Sequence, residues 1–496
     1  MASPRDLIVY RVSCALCESH KNDFPYAEAA CKNSGFYALM TRRIPSTTPT
    51  KKPGRHAART ADFIFRGLIA VLVMLIAALL EHADGQEIPR PSYARQVERA
   101  ALPTISNFKI GEVLLRVDAH LTTSFVDNVD NTPTGKADVI VSPEVGISAA
   151  WALTKQNTLQ FRAGIGYAYY MNNRNLNQQT MTIAPDTALN FNVYAGDVKI
   201  NFHDQMSMQQ ETISQGTLSG IASLNRFTNT AGISVLWDTN DVVWNLGYDH
   251  YNFITLGGAN SSSGSTAASI SNLDHSTDQL SASAAVKMNS VLIGGIEGVV
   301  SSSDYPKDTA SNFTSVSAGP YFEWQVTRYT HAFLSGGYKG FFSGANAPGS
   351  VSVSSTSAAQ VAQGDPSGFY ANFSLVHRLN RYYSDRLEIG HSDEVEALSG
   401  HVQTNFVRYS GNWRVNQKVS LGDALFFEDV HIISGSALGG TVASDYWRLG
   451  GSLSTGYQIS QHVDATLSYQ YLKKEARRSS ESYTQNRVTI SLGYRF

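Results

Sequence analysis

The residues of this chain that could do chemistry are charged side chains at alternate positions of extended segments. Successive side chains of a strand point to opposite faces, so residues two positions apart share a face. A wall that presents such charges to enclosed water can select solutes by their charge. The candidates for a charged constriction are Arg162, Glu323, Arg386, Glu388, Arg408, Arg414, Arg448 and Arg487.

Four arginines of this set fall in the last five expected strands: Arg408, Arg414, Arg448 and Arg487. A basic wall there, with acidic residues opposite, would set a transverse field and favour anionic or sugar-acid solutes. The alternative is that inward charges only hydrate the wall and pair with one another. The Gly-, Ala- and Ser-rich segment 343–367 is the longest connection, and it could fold inward over the wall or remain an external loop.

No catalytic or metal-binding motif accompanies these charges. The chain lacks a Gly-x-Ser-x-Gly elbow, a His-Glu-x-x-His motif and a phosphate-binding loop. Cys14 and Cys17 have the spacing that begins a zinc site. However, Cys31 stands alone, and His20 is too close to Cys17 to complete a second pair. A formal charge of −2 without a basic stripe argues against nucleic-acid binding. The sequence therefore predicts no enzyme activity, no metal and no cofactor.

The first 85 residues are predicted to direct export. Residues 68–80 form a run of 13 apolar residues, which is too short to span a bilayer and suits the core of a signal peptide. Five basic residues precede this run, and the small residues Ala83 and Gly85 follow it. We therefore expect Sec-dependent export with cleavage near Gly85, and an uncleaved anchor is the alternative.

The remaining domain boundaries follow from this reading. Met40 is a plausible translation start, in which case residues 1–39 are not translated; otherwise they extend the targeting segment. Residues 86–108 contain prolines and no clear period, so we expect a periplasmic N-terminal arm. Residues 109–496 are expected to form a single β-barrel domain.

Alternation of apolar and polar residues runs through this last domain. The chain as a whole is 42% hydrophobic and only 16% charged, and its strand patterns follow one another without a helix-length interruption. Many apolar stripes end in Trp or Tyr, as in Trp447-x-Leu449 and Leu467-x-Tyr469-x-Tyr471. Aromatic residues at the ends of apolar stripes are typical of the girdles of transmembrane barrels.

The connections give a second, independent signal. Eight short polar turns alternate with nine longer polar stretches, and this alternation is typical of barrels with tight periplasmic turns and long external loops. Seventeen connections join about 18 strands of an antiparallel up-and-down barrel with both ends on the periplasmic side. One missed or false hairpin would make the count 16 or 20. Asp423 falls on the lipid-facing register, which could mark a β-bulge, a subunit contact or an error of register.

The last ten residues carry the clearest pattern. Val488, Ile490, Leu492, Tyr494 and Phe496 share one face up to the terminal residue. A strand that must be held at its very end suits a barrel, in which the last strand closes onto the first. This ending resembles the C-terminal signature of bacterial outer-membrane proteins. The resemblance implies that Tyr494 and Phe496 belong to the signal read by the barrel-assembly machinery.

The segment 483–496 is also similar to the end of the putative beta-barrel porin 2 group, which is often associated with capsule or exopolysaccharide loci. The pattern predicts an outer-membrane protein whose partners are membrane lipids and the assembly machinery. The first functional hypothesis is a porin-like channel for passive diffusion of small hydrophilic solutes. The resemblance implies the alternative, an accessory barrel that works with polysaccharide-export components. A third hypothesis is a non-conducting structural or adhesion barrel.

Overall fold

The computed structural model describes residues 108–496 except for 155, 179–180, 210–223, 259–273, 308–311, 344–366, 397–399 and 435–444. The predicted signal peptide, residues 86–107 of the predicted N-terminal arm and the three cysteines lie outside the described residues. Residues 344–366 of the longest connection, and with them the choice between an inward and an external loop, lie outside them as well.

Twenty strand segments form one antiparallel sheet. The first ten are β1 (Phe108–Ile110), β2 (Val113–Val126), β3 (Asp138–Ala152), β4 (Thr158–Tyr167), β5 (Tyr169–Tyr170), β6 (Met181–Ala195), β7 (Val198–Gln209), β8 (Leu224–Asp238), β9 (Val242–Gly258) and β10 (His275–Lys287). The other ten are β11 (Leu292–Asp304), β12 (Phe313–Thr327), β13 (Thr330–Ser343), β14 (Ser367–His377), β15 (Tyr383–Glu396), β16 (Gly400–Arg414), β17 (Val419–Ser434), β18 (Tyr446–Gln458), β19 (Val463–Ala476) and β20 (Tyr483–Arg495).

Eighteen strands make up the wall. Segments β4 and β5 both pair with β3 and are two parts of one strand, and β1 is a three-residue addition on the edge of β2. Each remaining strand pairs with its neighbours in sequence order. The prediction of an 18-strand antiparallel up-and-down barrel is confirmed.

The barrel closes between its last and first long strands. Segment β20 pairs with β2 from Arg495 opposite Asp118 to Arg487 opposite Val126. The amide of Phe496 donates a hydrogen bond to the Val117 carbonyl at 3.1 Å. The terminal strand is therefore held to its last residue, and no edge of the wall is left unpaired there.

Short turns lie at one end of the barrel and longer loops at the other; we call these the turn end and the loop end. Polar side chains fix several of the short turns. The Asn416 Oδ1 atom accepts hydrogen bonds from the amides of Lys418 and Val419, both at 2.8 Å. Asn380 accepts from the two amides at the matching positions of its turn, at 2.7 and 3.0 Å. Asparagine suits these positions because its side chain bonds to the backbone two residues ahead.

The outer surface of the barrel is apolar. Leucine, isoleucine, valine and aromatic side chains point outward on every second residue, and many are exposed by 40% or more. Trp151, Trp237, Trp244, Trp324 and Trp413, five of the six tryptophans, are exposed on this surface near the short turns. A continuous apolar band with a ring of tryptophan at one border is the surface that a lipid bilayer would cover.

Helical structure in the described residues is confined to two short 3₁₀ turns in loops, Arg174–Gln178 and Ser479–Glu481. Within the described part of the chain, no helix combines the length and the apolar character needed to cross a membrane.

Asp423 is on the outward register, as its position in the sequence indicated. Gly411, Asp423 and Leu453 pair directly across β16, β17 and β18, and the ladder has no shift at this level. The carboxylate leans over Gly411, where an added Cβ atom would lie 2.5 Å from the Asp423 Oδ1 atom. The alternatives of a β-bulge and of an error of register are therefore wrong.

Candidate functional site

The inner wall carries the charged side chains that the sequence singled out. The alternation of every strand places all eight constriction candidates on the inward register, opposite the exposed apolar set. Strands about 4.8 Å apart and tilted by about 40° give a barrel of this strand number a backbone radius of about 18 Å. Such an interior is wider than side chains from the wall alone can fill. The candidates can therefore face enclosed water where other side chains do not cover them.

Two of the candidate arginines share one carboxylate, and we call this group the Glu428 cluster. The Arg408 Nη2 atom lies 2.9 Å from Glu428 Oε1, and the Arg448 Nε atom lies 3.0 Å from Glu428 Oε2. Side-chain exposure is 4% for Arg448, 8% for Glu428 and 50% for Arg408. Only Arg408 of the three thus presents its charge to the lumen.

The pairing of β17 with β18 explains why Arg448 is buried. Glu428 and Arg448 are directly opposite each other on β17 and β18, so their side chains meet on the inner face. The Arg448 guanidinium also lies 5.6 Å from the centre of the Phe426 ring. Gly450 makes room for that ring, because an added Cβ atom would lie 2.2 Å from a Phe426 ring carbon. A glycine two positions from the arginine thereby lets an aromatic ring lie beside the ion pair.

A second group surrounds Asp118 on β2, and we call it the Asp118 cluster. The Arg162 Nε atom lies 2.6 Å from Asp186 Oδ2, and its Nη2 atom lies 3.9 Å from Asp118 Oδ2. Arg116 and His120, on either side of Asp118, contact the same carboxylate at 3.4 and 3.0 Å. Asp118 is fully buried, whereas Asp186 is 52% exposed. The cluster therefore presents a carboxylate and a half-covered arginine to the lumen.

Sequence reasoning missed the role of Asp186. The pairing of β4 with β6 shifts between Arg162 and Ile165, and the pairing of β6 with β7 shifts between Ile183 and Thr187. Such irregularities redirect side chains relative to a strict alternation. The only available signal was Pro185, because proline is seldom found within a regular ladder.

The other candidates are separate from these clusters. Arg386 pairs with Glu388 on the same strand. Glu323 is on the inward register but fully buried between Ile293 and Phe333, so it does not meet the lumen directly. Arg487 lies on β20 opposite Gln470.

The four arginines of the last strands do not form one site. Arg408 and Arg448 meet at Glu428, but Arg414 is six residues farther along β16, which is about 20 Å of extended chain. Arg414 belongs to the turn end instead. Tyr494 and Phe496 are on the outer face at the same end, with their ring centres 4.8 Å apart.

Aromatic side chains on the inner wall were also missed by sequence reasoning. The His275 ring stacks 5.1 Å from Phe253 and 4.8 Å from Tyr305, and lies 5.8 Å from Tyr251. Phe253 and Tyr305 are each only 5% exposed. The alternation of the strands already places these rings on the inner face. The candidate residues were selected for their charge, however, and aromatic residues were therefore left out.

A further inward pair spans two intervening strands. The Tyr370 hydroxyl on β14 donates a hydrogen bond to Glu297 Oε1 on β11 at 3.2 Å. Between them, on β12 and β13, lie Gly319 and Gly337. An added Cβ atom on either glycine would lie within 2.2 Å of a backbone carbonyl of the neighbouring strand. Two residues without side chains therefore allow the tyrosine and the glutamate to meet over the wall.

At the loop end, Asp274 holds the junction of β9, β10 and β11. Its carboxylate accepts hydrogen bonds from Lys307 Nζ at 2.7 Å and from the Thr255 hydroxyl and amide at 2.6 and 2.7 Å. Partial burial raises the pKa of Asp274, but the hydrogen bonds from Lys307 and Thr255 outweigh burial and hold the pKa below its ordinary value of 3.8.

No metal centre is found in the described part of the chain. No group of three or more His, Cys, Asp or Glu side chains there could hold a metal ion. The Cys14 and Cys17 pair lies outside the described residues.

These observations define the class: a closed 18-strand antiparallel β-barrel with a charged and polar interior and an apolar exterior. The chain matches no family model and no curated protein. Among solved structures it is similar to outer-membrane expressed OmpT of Vibrio cholerae, with a TM-score of 0.36 and 10% identity over 78% of this chain and 99% of that chain. It is also similar to OccK5 (OpdH) of Pseudomonas aeruginosa, with a TM-score of 0.41 and 9% identity over 78% and 98%.

A third similar structure is OccK2 (OpdF) of Pseudomonas aeruginosa in complex with glucuronate, with a TM-score of 0.42 and 8% identity over 77% of this chain and 98% of that chain. Similarity at this level does not bear on function. The assignment to the barrel class rests on the closed ladder of hydrogen bonds described above.

Proposed function

We propose that this protein is an outer-membrane barrel that works as a porin-like channel for passive diffusion of small hydrophilic solutes. The observation that carries the proposal is the distribution of side chains across the wall. Large apolar side chains are exposed outside, whereas the charged side chains of Arg162, Glu388, Arg408 and Arg448 are on the inward register. This distribution suits a wall with lipid on one side and water on the other.

Selection in such a channel would come from charges fixed to the wall. Arg408 is half exposed at the Glu428 cluster on β16–β18, and Asp186 is half exposed at the Asp118 cluster on β2–β6. Because the two clusters belong to different sectors of the barrel, a cation and an anion are presented from different sides. Solutes would then be sorted by charge distribution as they diffuse, without a catalytic step.

Assembly into the outer membrane is supported by the closing strand. Phe496 pairs with β2 through its amide, while its side chain is 52% exposed on the outer face. In the closed barrel the ring is therefore on the outer face, where the barrel-assembly machinery could contact it. We expect Phe496→Ala to lower the amount of assembled protein in cells, with unchanged refolding of the purified protein in detergent. An equal loss of assembled protein in cells and of refolded protein in detergent would mean that Phe496 contributes only to the stability of the barrel.

A second candidate function is that of an accessory barrel for polysaccharide export. Aromatic rings on the inner wall favour it, because sugars pack on aromatic faces; Tyr251, Phe253, His275 and Tyr305 form such a group. The 5% exposure of Phe253 and Tyr305 argues against an open sugar track at this place.

Single-channel recording tests the proposal. The protein would be purified from outer membranes, checked for a folded barrel by heat-modifiable migration on a gel, and inserted into a planar bilayer in KCl. Stable open steps that a small hydrophilic solute interrupts would support diffusion through the lumen. Interruption only by a long anionic oligosaccharide would favour the export candidate. A folded barrel that inserts without conducting would refute the channel.

A further inference from the structure

A cavity of about 750 Å³ opens on the inner wall at the turn end. Its lining comes from β16–β20 and from the turns at 378–382 and 415–418. Arg414, Thr466 and Arg495 line it from inward positions of their strands, so the cavity faces the lumen and not the lipid side. This volume is within the usual range for sites that hold small molecules.

The cavity holds an excess of positive charge. Arg381, Arg414, Lys418 and Arg495 line it together with one carboxylate, Asp464. Arg495 pairs with Asp464 at 3.0 Å between Nη2 and Oδ1. Within the described part of the chain, the other three cations have no carboxylate within ion-pair distance. Three positive charges therefore converge on one cavity without a counterion from the wall.

The backbone around these cations is fixed by hydrogen bonds. The Arg414 amide donates to the Tyr382 carbonyl at 2.6 Å, which ties β16 to the neighbouring turn. The Gln458 amide donates to the Lys418 carbonyl at 2.8 Å. The Arg381 guanidinium lies 4.7 Å from the centre of the Tyr382 ring, which orients the side chain. A ligand would therefore meet cations on turns whose backbone is already ordered, so that only the side chains would have to be ordered on binding.

The short turns around the rim of the turn end show that this excess of positive charge is confined to one sector. The three consecutive turns at 328–329, 378–382 and 415–418 contain arginines and a lysine but no Asp or Glu. On the sector formed by β6–β10, the short turns carry aspartates, and Lys287 there pairs with Asp238 at 2.8 Å. The turn end is thus basic on one sector and acidic or neutralised on another, and the cavity lies in the basic sector.

We propose that this cavity is a binding site for small organic polyanions that carry carboxylate or phosphate groups. Arginine and lysine at its lining would form charge-assisted hydrogen bonds to such groups. The biological role of such a site rests on the proposed channel function, because anions bound at the turn end would be concentrated at one mouth of the lumen. Binding itself needs no conduction and is measured separately.

The test compares two double variants with the same change of charge. R381Q/K418Q removes two cations that line the cavity, and R328Q/R378Q removes two cations of the same rim that do not. Both sets of side chains lie on turns, and the Asn380 and Asn416 bonds that fix the cavity turns remain in place. Binding of citrate to the full-length protein in detergent would be measured by isothermal titration calorimetry, with inorganic phosphate as competitor.

We expect wild type and R328Q/R378Q to bind citrate with similar affinity and R381Q/K418Q to bind at least about tenfold more weakly. Equal weakening by both double variants would mean a diffuse rim charge and would overturn the site. Displacement by phosphatidylglycerol but not by phosphate would assign the cavity to a lipid headgroup and would also overturn it. A protein that binds citrate without conducting would refute the channel alone, and one that conducts without binding citrate would refute the site alone.

Discussion

Replacement of Glu428 by glutamine should strongly destabilise the barrel. The carboxylate is 8% exposed and serves both Arg408 and Arg448. Glutamine keeps the shape of the side chain but removes its charge. The change therefore isolates the electrostatic part of the cluster, because Arg448 and its contact with the Phe426 ring remain in place.

The expected magnitude follows from the unequal exposure of the two arginines. Arg448 is 4% exposed, and removal of one partner of a buried ion pair costs about 3–5 kcal/mol. Arg408 is 50% exposed, so its share of the interaction is screened and contributes about 0–1 kcal/mol. We expect Glu428→Gln to lower the free energy of unfolding by about 3 kcal/mol or more. Arg408→Gln should lower it by less than about 1 kcal/mol.

Urea unfolding of the lipid-reconstituted protein, monitored by tryptophan fluorescence, measures the free energy of unfolding of both variants. The matched rescue is E428Q/R448M, in which the buried charge is removed together with its partner. Most of the lost stability should return in this variant, because R448M removes the buried charge that E428Q leaves without a counterion. If E428Q is within about 1 kcal/mol of wild type, or if the double variant is no more stable than E428Q, the reasoning about the buried pair is wrong.

Three further outcomes are expected. Gly450→Ala should cost about 1–3 kcal/mol in the same unfolding assay, because its Cβ atom would overlap an aromatic ring. Gly298→Ala, where the nearest atom would be 3.7 Å away, is the control and should change little. The lowered pKa of Asp274 contributes stability that is complete above its unfolded value and is lost as the pH falls through the lower folded value. Thermal unfolding should therefore show a smaller loss between about pH 4 and pH 2 for Asp274→Asn than for wild type, and equal losses would contradict this assignment. Asp423→Leu should raise the unfolding free energy in lipid by on the order of 1 kcal/mol, whereas a decrease would show that Asp423 is paired at a subunit contact.

The architecture could be predicted from the sequence because it depends on local properties. The direction of a side chain from a strand follows from its parity along that strand, so the inward positions of Arg162, Arg408 and Arg448 are fixed by alternation. The turns are marked by residues such as Asn380 and Asn416, whose side chains bond to their own backbone. Strand number and the connection pattern follow from these two signals together.

The assignment of partners to the charged residues could not be predicted in the same way. Glu428 meets Arg448 and Arg408 because β16, β17 and β18 are aligned at one register. A shift of one of these strands by two residues would leave each side chain on the same face but would place it beside different residues of the neighbouring strand. Asp186 reaches Arg162 only through an irregularity of β6.

The sequence by itself therefore determined which face each residue occupies, the number of strands to within one hairpin and where the chain turns. Tertiary structure decided which inward residues meet, which are covered and which remain exposed to the lumen. Arg414 illustrates the difference: its parity is shared with Arg408, but its height on β16 places it in the cavity at the turn end. The physical reason is that parity is a property of one strand, whereas contact and exposure depend on the register of its neighbours and on closure of the barrel.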